Sequence, residues 1–201
     1  MKKLTVLFAA LLITVGASAQ FKYGFKAGIN AAQLSAPSDV PGAKASDMKI
    51  GFQAGLHMNY SFTDFIGLQY EAVFSMQGGS NKEDGTTANL NLNYINIPVL
   101  FEIKPFQDFS FFIGPQVGFN IFKSASVSAG GQSGSISGKE FENAIGKVNT
   151  IDVAAVAGIQ YAIMGQFLIS ARYNFGFTKT LDAAKGGTCN RVIQIGIGYQ
   201  F

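Results

Sequence analysis

The feature that most constrains this chain is a two-residue alternation of apolar side chains with polar residues or glycine. It recurs eight times between Phe21 and the final residue, Phe201. A period of two is the signature of a strand with unlike faces, and no helix can present it as one stripe. In "FKYGFKAGINA", Phe21, Tyr23, Phe25, Ala27 and Ile29 share one face, opposite Lys22, Gly24, Lys26, Gly28 and Asn30. Further runs start at Ile50, Ile66, Ile95, Phe111, Ile151 and Phe167. The last is "RVIQIGIGYQF", with Ile193, Ile195, Ile197, Tyr199 and Phe201 opposite Gln194, Gly196, Gly198 and Gln200.

Each run is about ten residues or longer, the length a tilted strand needs to cross a bilayer. Tight connections fall near Thr63-Asp64, Pro105–Asp108 and Met164-Gly165. Polar connections near 35–48, 78–89, 124–149 and 179–190 are long. Short turns at one end and long loops at the other are the pattern of an outer-membrane barrel with its long loops outside. The expectation is an all-β fold: an eight-stranded antiparallel transmembrane β-barrel with short periplasmic turns and long extracellular loops.

Composition decides which face is wet. Apolar residues make up 48% of the chain and charged residues 13%, about half the charged share of soluble proteins. A soluble ligand-binding barrel would need an outer coat made of the Gly, Gln and Asn face, with few charges to keep it in solution. A membrane barrel turns the large aromatic face to lipid and the polar face to a narrow lumen. Aromatics gather near the short turns (Phe62, Phe65, Phe106, Phe109, Tyr199, Phe201) and near the long loops (Phe74, Phe119, Phe122, Phe175, Phe177), as two interfacial girdles would. Closure is required because an open edge in lipid would leave backbone N–H and C=O groups unpaired.

The segment "MKKLTVLFAALLITVGASAQ" reads as an export signal: basic Lys2 and Lys3, an apolar stretch from Leu4 to Val15, and an Ala17-Ser18-Ala19 cleavage site. Residues 1–19 are thus expected to be a signal peptide and 20–201 the barrel domain. No appended peptidoglycan-binding domain is expected. Losing the two lysines takes the formal charge from +3 to +1, and no nucleic-acid partner is indicated. The single cysteine, Cys189, cannot form an internal disulfide; it reads as an incidental loop residue or an intermolecular link.

Four motifs carry a resemblance. "FKAGIN" at 25–30, "INIPVLFEI" at 95–103, "FFIGPQVGF" at 111–119 and the closing "RVIQIGIGYQF" resemble the PorT-like outer-membrane β-barrel family of Bacteroidota. The Ala-Gln junction at 19–20 also looks like exported proteins of that phylum. The resemblance spans residues 21–201 and implies an OmpX-like eight-stranded barrel, but no reaction. Pro98 and Pro115 belong to these motifs, and each should impose a bulge or kink because it removes a ladder hydrogen bond.

The candidate site residues are the lumen's polar side chains: Lys26, His57, Glu71, Glu102, Gln116, Gln160, Arg172 and Gln194. Glu71 and Arg172 stand at similar heights on opposite strands, with Lys26, Glu102 and Lys104 lower and Asp152 near the top. An eight-stranded barrel is only wide enough for side chains to fill, so a paired polar plug is expected; an ion path gated by Glu71 and Arg172 is the alternative. His57 is the only histidine and sits mid-strand, with Ser61 and Ser75 near it in sequence. No catalytic triad geometry is implied. One His and one Cys make no metal site, and no cofactor is expected. "SASVSAGGQSGSISGKEF" at 124–141 lacks the hydroxyl residue and helix of a phosphate-binding loop; it reads as a flexible extracellular loop, with a short helical turn in "KEFENAIGK". Expected partners are outer-membrane lipid, the barrel-assembly machinery, which would read Tyr199 and Phe201 as a C-terminal signal, and an unidentified extracellular ligand or protein. The functional expectation is a structural or loop-binding barrel, with a narrow solute channel as alternative and a loop-rim enzyme as the third reading.

Overall fold

The computed structural model describes residues 21–37, 41–42, 44–83, 85–130, 132–138, 140–141, 147–182 and 187–201. The signal segment, 1–19, lies outside the described residues. Eleven strands follow in order: β1 (Phe21–Leu34), β2 (Lys49–Ser61), β3 (Ile66–Glu83), β4 (Thr86–Phe106), β5 (Phe109–Ala129), β6 (Gln132–Ser137), β7 (Lys147–Val148), β8 (Ile151–Ile163), β9 (Phe167–Gly176), β10 (Leu181–Asp182) and β11 (Asn190–Gln200). Eight of them form the wall. Going round, β1 pairs β2, β2 pairs β3, β3 pairs β4, β4 pairs β5, β5 pairs β8, β8 pairs β9, β9 pairs β11, and β11 returns to β1. All these pairings are antiparallel. The closing seam runs from Gly24 opposite Gln200 to Leu34 opposite Asn190.

The inverted layout follows the alternation. On β9 every second residue from Leu168 to Gly176 is buried, while Phe167, Ile169, Tyr173 and Phe175 are exposed. Exposed Ile, Leu and aromatic side chains ring the wall, from Phe25, Ile29 and Leu56 to Ile113 and Ile197. On a soluble monomer such an apolar surface would drive association.

The tight turns have local causes. Thr63 Oγ1 accepts the N–H groups of Phe65 and Ile66 between β2 and β3. Between β8 and β9, Met164 and Gly165 have φ of 53° and 70° and the Gln166 N–H returns to the Ile163 carbonyl. Two consecutive positive φ values match the turn to the strand twist.

The largest departure from the sequence reading is at the other end. The stretches expected as loops at 78–89 and 124–141 are largely strand. β3 runs on to Glu83 and pairs with β4 from Thr86, and β5 runs on to Ala129 and pairs with β6 from Gln132. The result is a four-stranded sheet, β3-β4-β5-β6, raised beyond the ring. The Gly/Ser segment is ordered by backbone pairing, which needs no apolar side chains. Glu140 and Phe141 are helical, as expected there; the rest of that turn lies largely outside the described residues.

Polarity inverts where the sheet leaves the ring. On β4, Ile95, Ile97, Phe101 and Ile103 face outward. Above them the inward residues Leu90, Leu92 and Tyr94 are the apolar ones, and Asn89, Asn91 and Asn93 take the other face. A register shift between Asn93 and Tyr94, with Ile121 as the extra residue of β5, marks the change. Such a bulge re-aims the side chains beyond it. At the prolines the expected loss of ladder pairing is seen, without a bulge. Pairing lapses beside Pro98 on the β3 side, and between β4 and β5 around Pro115, but the register is the same on either side of each gap. The missing N–H costs ladder bonds without adding a residue, so no bulge forms.

Candidate functional site: a filled lumen under a raised rim

All eight candidate lumen residues are buried inside the ring: Lys26, His57, Glu71, Glu102, Gln116, Gln160, Arg172 and Gln194. Glu71, on β3, is the hub. Its Oε1 accepts Arg172 Nη1 at 2.6 Å and its Oε2 accepts Lys26 Nζ at 3.0 Å, with both ion pairs almost wholly screened from solvent. Gln69 Nε2 donates to the same carboxylate. β3 and β9 stand opposite each other in the ring, so the Glu71–Arg172 contact bridges the full lumen. Lys26 does not lie below this level, as strand counting suggests; strand tilt and its long side chain bring the ammonium to Glu71.

Glu102 holds a second cluster nearer the short turns. It accepts Asn59 Nδ2 at 2.5 Å and Ser110 Oγ at 2.7 Å, and Lys104 Nζ lies 3.1 Å away. A third cluster lies above the hub. Asn30 Nδ2 reaches Ser75 Oγ at 2.9 Å and the Met76 carbonyl at 3.1 Å, while Gln194 Nε2 donates to Asn30 Oδ1 at 3.2 Å. Gln116 Oε1 accepts Asn174 Nδ2. Higher still, Asn190 Nδ2 contacts Asp152 Oδ2 and the Tyr94 hydroxyl, each at 3.4 Å.

One sector of the lumen is apolar. Leu100, Phe112 and Val156, from β4, β5 and β8, pack together, and the Arg172 guanidinium carbon lies 5.3 Å from the centre of the Phe112 ring. The mouth is apolar too. Phe141 is fully buried against Leu92, Tyr94, Ala125 and Val148. Asn30, Asn59, Gln69, Ser75, Ser110 and the Phe141 cap are not among the candidate residues read from the sequence. The first five were findable, since they share the lumen parity of their strands. Phe141 was not, because its segment has no strand period of its own.

His57 is buried and pairs Glu71 through the backbone ladder, but its Nε2 has no hydrogen-bond partner among the described residues. Ser61 is bonded to Asn59 and Lys104, and Ser75 to Asn30 and Gln77. Neither serine is coupled to His57, so no nucleophile–base pair is formed there. Among the described residues no three His, Cys, Asp or Glu side chains converge as metal ligands do. Cys189 is half-buried and its thiol is free. At the chain end, Phe201 donates its N–H to the Tyr23 carbonyl at 2.8 Å, and its ring lies 5.4 Å from Tyr23 and 5.0 Å from Tyr199.

Comparison with known proteins agrees with this architecture. The structure is similar to Ail, the attachment invasion locus protein of Yersinia pestis, at a TM-score of 0.55 and 19% identity, covering 90% of this chain and 99% of that one. It is similar to Neisserial surface protein A at a TM-score of 0.56 and 13% identity, covering 89% and 97%. At these identities the likeness is one of fold. No curated protein matches the chain by sequence. The family model described as "Outer membrane protein beta-barrel domain" matches residues 16–182, most of the chain. A closed antiparallel ring with an apolar exterior, a polar lumen and this sequence match together place the chain in the outer-membrane β-barrel domain family.

Proposed function

We propose that this barrel is a filled scaffold in the outer membrane, whose working surface is its raised extracellular rim and whose lumen does not conduct. The observation that carries the reading is the Glu71 hub, which ties β1, β3 and β9 together across the lumen. With the Glu102 cluster below and the Phe141 cap above, three levels of the lumen are occupied by side chains. A buried carboxylate with two cationic partners and a further donor is stable only while all of them stay in place, which suits a structural element better than a gate.

The role is structural or binding, and not enzymatic. Residues 1–19 serve as a cleaved export signal, and Tyr199 and Phe201 as the part of the closing strand that the assembly machinery reads. Within the family, the motifs at 25–30, 95–103, 111–119 and 191–201 support a PorT-like, Bacteroidota-type member. Liposome swelling tests the filled lumen. Proteoliposomes diluted into isotonic arabinose should swell no faster than protein-free liposomes. Rapid swelling would favour the narrow solute channel.

A further inference from the structure

The Gly/Ser segment at 124–137 has an order that composition hides. Its serines occupy every second position of β5 and β6: Ser124, Ser126 and Ser128, then Ser133, Ser135 and Ser137. Register carries them into rows across the raised sheet. One row is Ser80, Asn89, Ser126 and Ser135 on β3, β4, β5 and β6, with Ser80 itself buried under the Asp47 bridge. The next is Lys82, Thr87, Ser128 and Ser133. Immediately below the first row, on the opposite face, run Gly79, Leu90, Ala125 and Ile136, the row that packs toward Phe141 and the barrel mouth. The sheet is therefore two-sided, with an apolar face over the mouth and a hydroxyl and amide face turned away from it.

That polar face continues the lipid-facing wall. On β4 the outward parity passes from Phe101 and Ile97 up to Asn91, Asn89 and Thr87, and on β5 from Phe119 to Ser124 through the bulge. Neighbours on the face already bond sideways: Asn91 Nδ2 donates to Ser124 Oγ at 3.2 Å, and Lys49 Nζ donates to Asn91. Serine, threonine and asparagine side chains both donate and accept, which complements the hydroxyls of a neutral saccharide better than it does acyl chains or a charged surface. Immediately above the hydrocarbon of an outer membrane lies the saccharide of its glycolipids.

We propose that the Ser/Thr/Asn face of the raised β3-β4-β5-β6 sheet docks on the saccharide headgroups of outer-leaflet glycolipid, holding the rim against the membrane's own surface. This rests on the reading of the rim as the extracellular working surface, and it names one partner of that surface.

The test uses the full-length barrel in nanodiscs of phospholipid alone, with lipid A added, or with rough lipopolysaccharide carrying core sugars. Binding of the rough glycolipid should raise the folded-to-unfolded midpoint on heating, and lipid A should raise it less. In Ser126→Ala/Ser128→Ala/Ser133→Ala/Ser135→Ala the extra shift should vanish and the apparent affinity fall about tenfold or more, with the midpoint in phospholipid unchanged. Ser133→Ala/Ser135→Ala, confined to the outermost strand, should show a partial loss and does not touch the ring. Equal shifts with lipid A and rough lipopolysaccharide, or an undiminished shift in the quadruple variant, would each overturn the proposal. Loss of heat-modifiable folding in wild type would instead sink the outer-membrane scaffold reading beneath it.

Discussion

Replacing Arg172 with alanine is the sharpest probe of the lumen. The side chain is buried, donates to Glu71 Oε1 at 2.6 Å and lies over the Phe112 ring at 5.3 Å. Breaking a buried ion pair from one side costs about 3–5 kcal/mol, because the remaining charge is left without its partner. Here Lys26 stays 3.0 Å from Glu71 Oε2 and keeps the carboxylate partly neutralised. The lower end, about 3 kcal/mol, is therefore expected, with the lost cation–π contact inside that figure. For a chain of this size that corresponds to about 6–12 °C in the midpoint of heat unfolding. Glu71→Ala should cost more, about 5 kcal/mol, because it leaves two buried cations facing each other. The assay is gel mobility in detergent, where folded and unfolded barrels separate, scored after stepwise heating. An unchanged midpoint for Arg172→Ala, or a Glu71→Ala variant no worse than Arg172→Ala, would refute the hub.

Three other perturbations follow from the geometry. A methyl added at Gly28 would sit 2.2 Å from the Ile195 carbonyl oxygen and 2.6 Å from the Gly196 Cα across the closing seam. Gly28→Ala should therefore cost about 1–3 kcal/mol and slow refolding in detergent; wild-type refolding would argue against a tight seam. Deleting Phe201 removes its N–H bond to Tyr23 and the stacked rings, and should lower the fraction of chain recovered in the outer membrane; normal recovery would count against the C-terminal signal. Phe141→Ala opens a void under the mouth worth about 3 kcal/mol locally, and should make the rim strands β5 and β6 more sensitive to added protease without altering the ring's heat midpoint.

The ring was legible in the sequence because lipid on one side and a lumen on the other force a period of two. Runs such as Phe167 to Phe175 and Ile193 to Phe201 show it without ambiguity. The lumen pair Glu71 and Arg172 was legible from strand heights alone. Lys26 was misplaced because counting residues ignores tilt. The raised sheet was missed because above the membrane the rule reverses: in "ANLNLNYINI" the apolar residues switch from the inward positions Leu90 and Leu92 to the outward positions Ile95 and Ile97. A search that looks only for one apolar face reads that phase change as the end of the strand. The change of phase falls where the raised sheet leaves the ring. The same reversal, through the Ile121 bulge, turned a strand of alternating serines into an apparent linker.

Single-channel recording in planar bilayers tests the filled lumen most directly. The account predicts a quiet baseline for the wild-type barrel, and still a quiet one when Glu71→Ala and Arg172→Ala are combined, because the Glu102 cluster and the Phe141 cap fill the levels below and above the hub. Regular steps from the wild-type protein, with the Glu71–Arg172 contact intact, would contradict it.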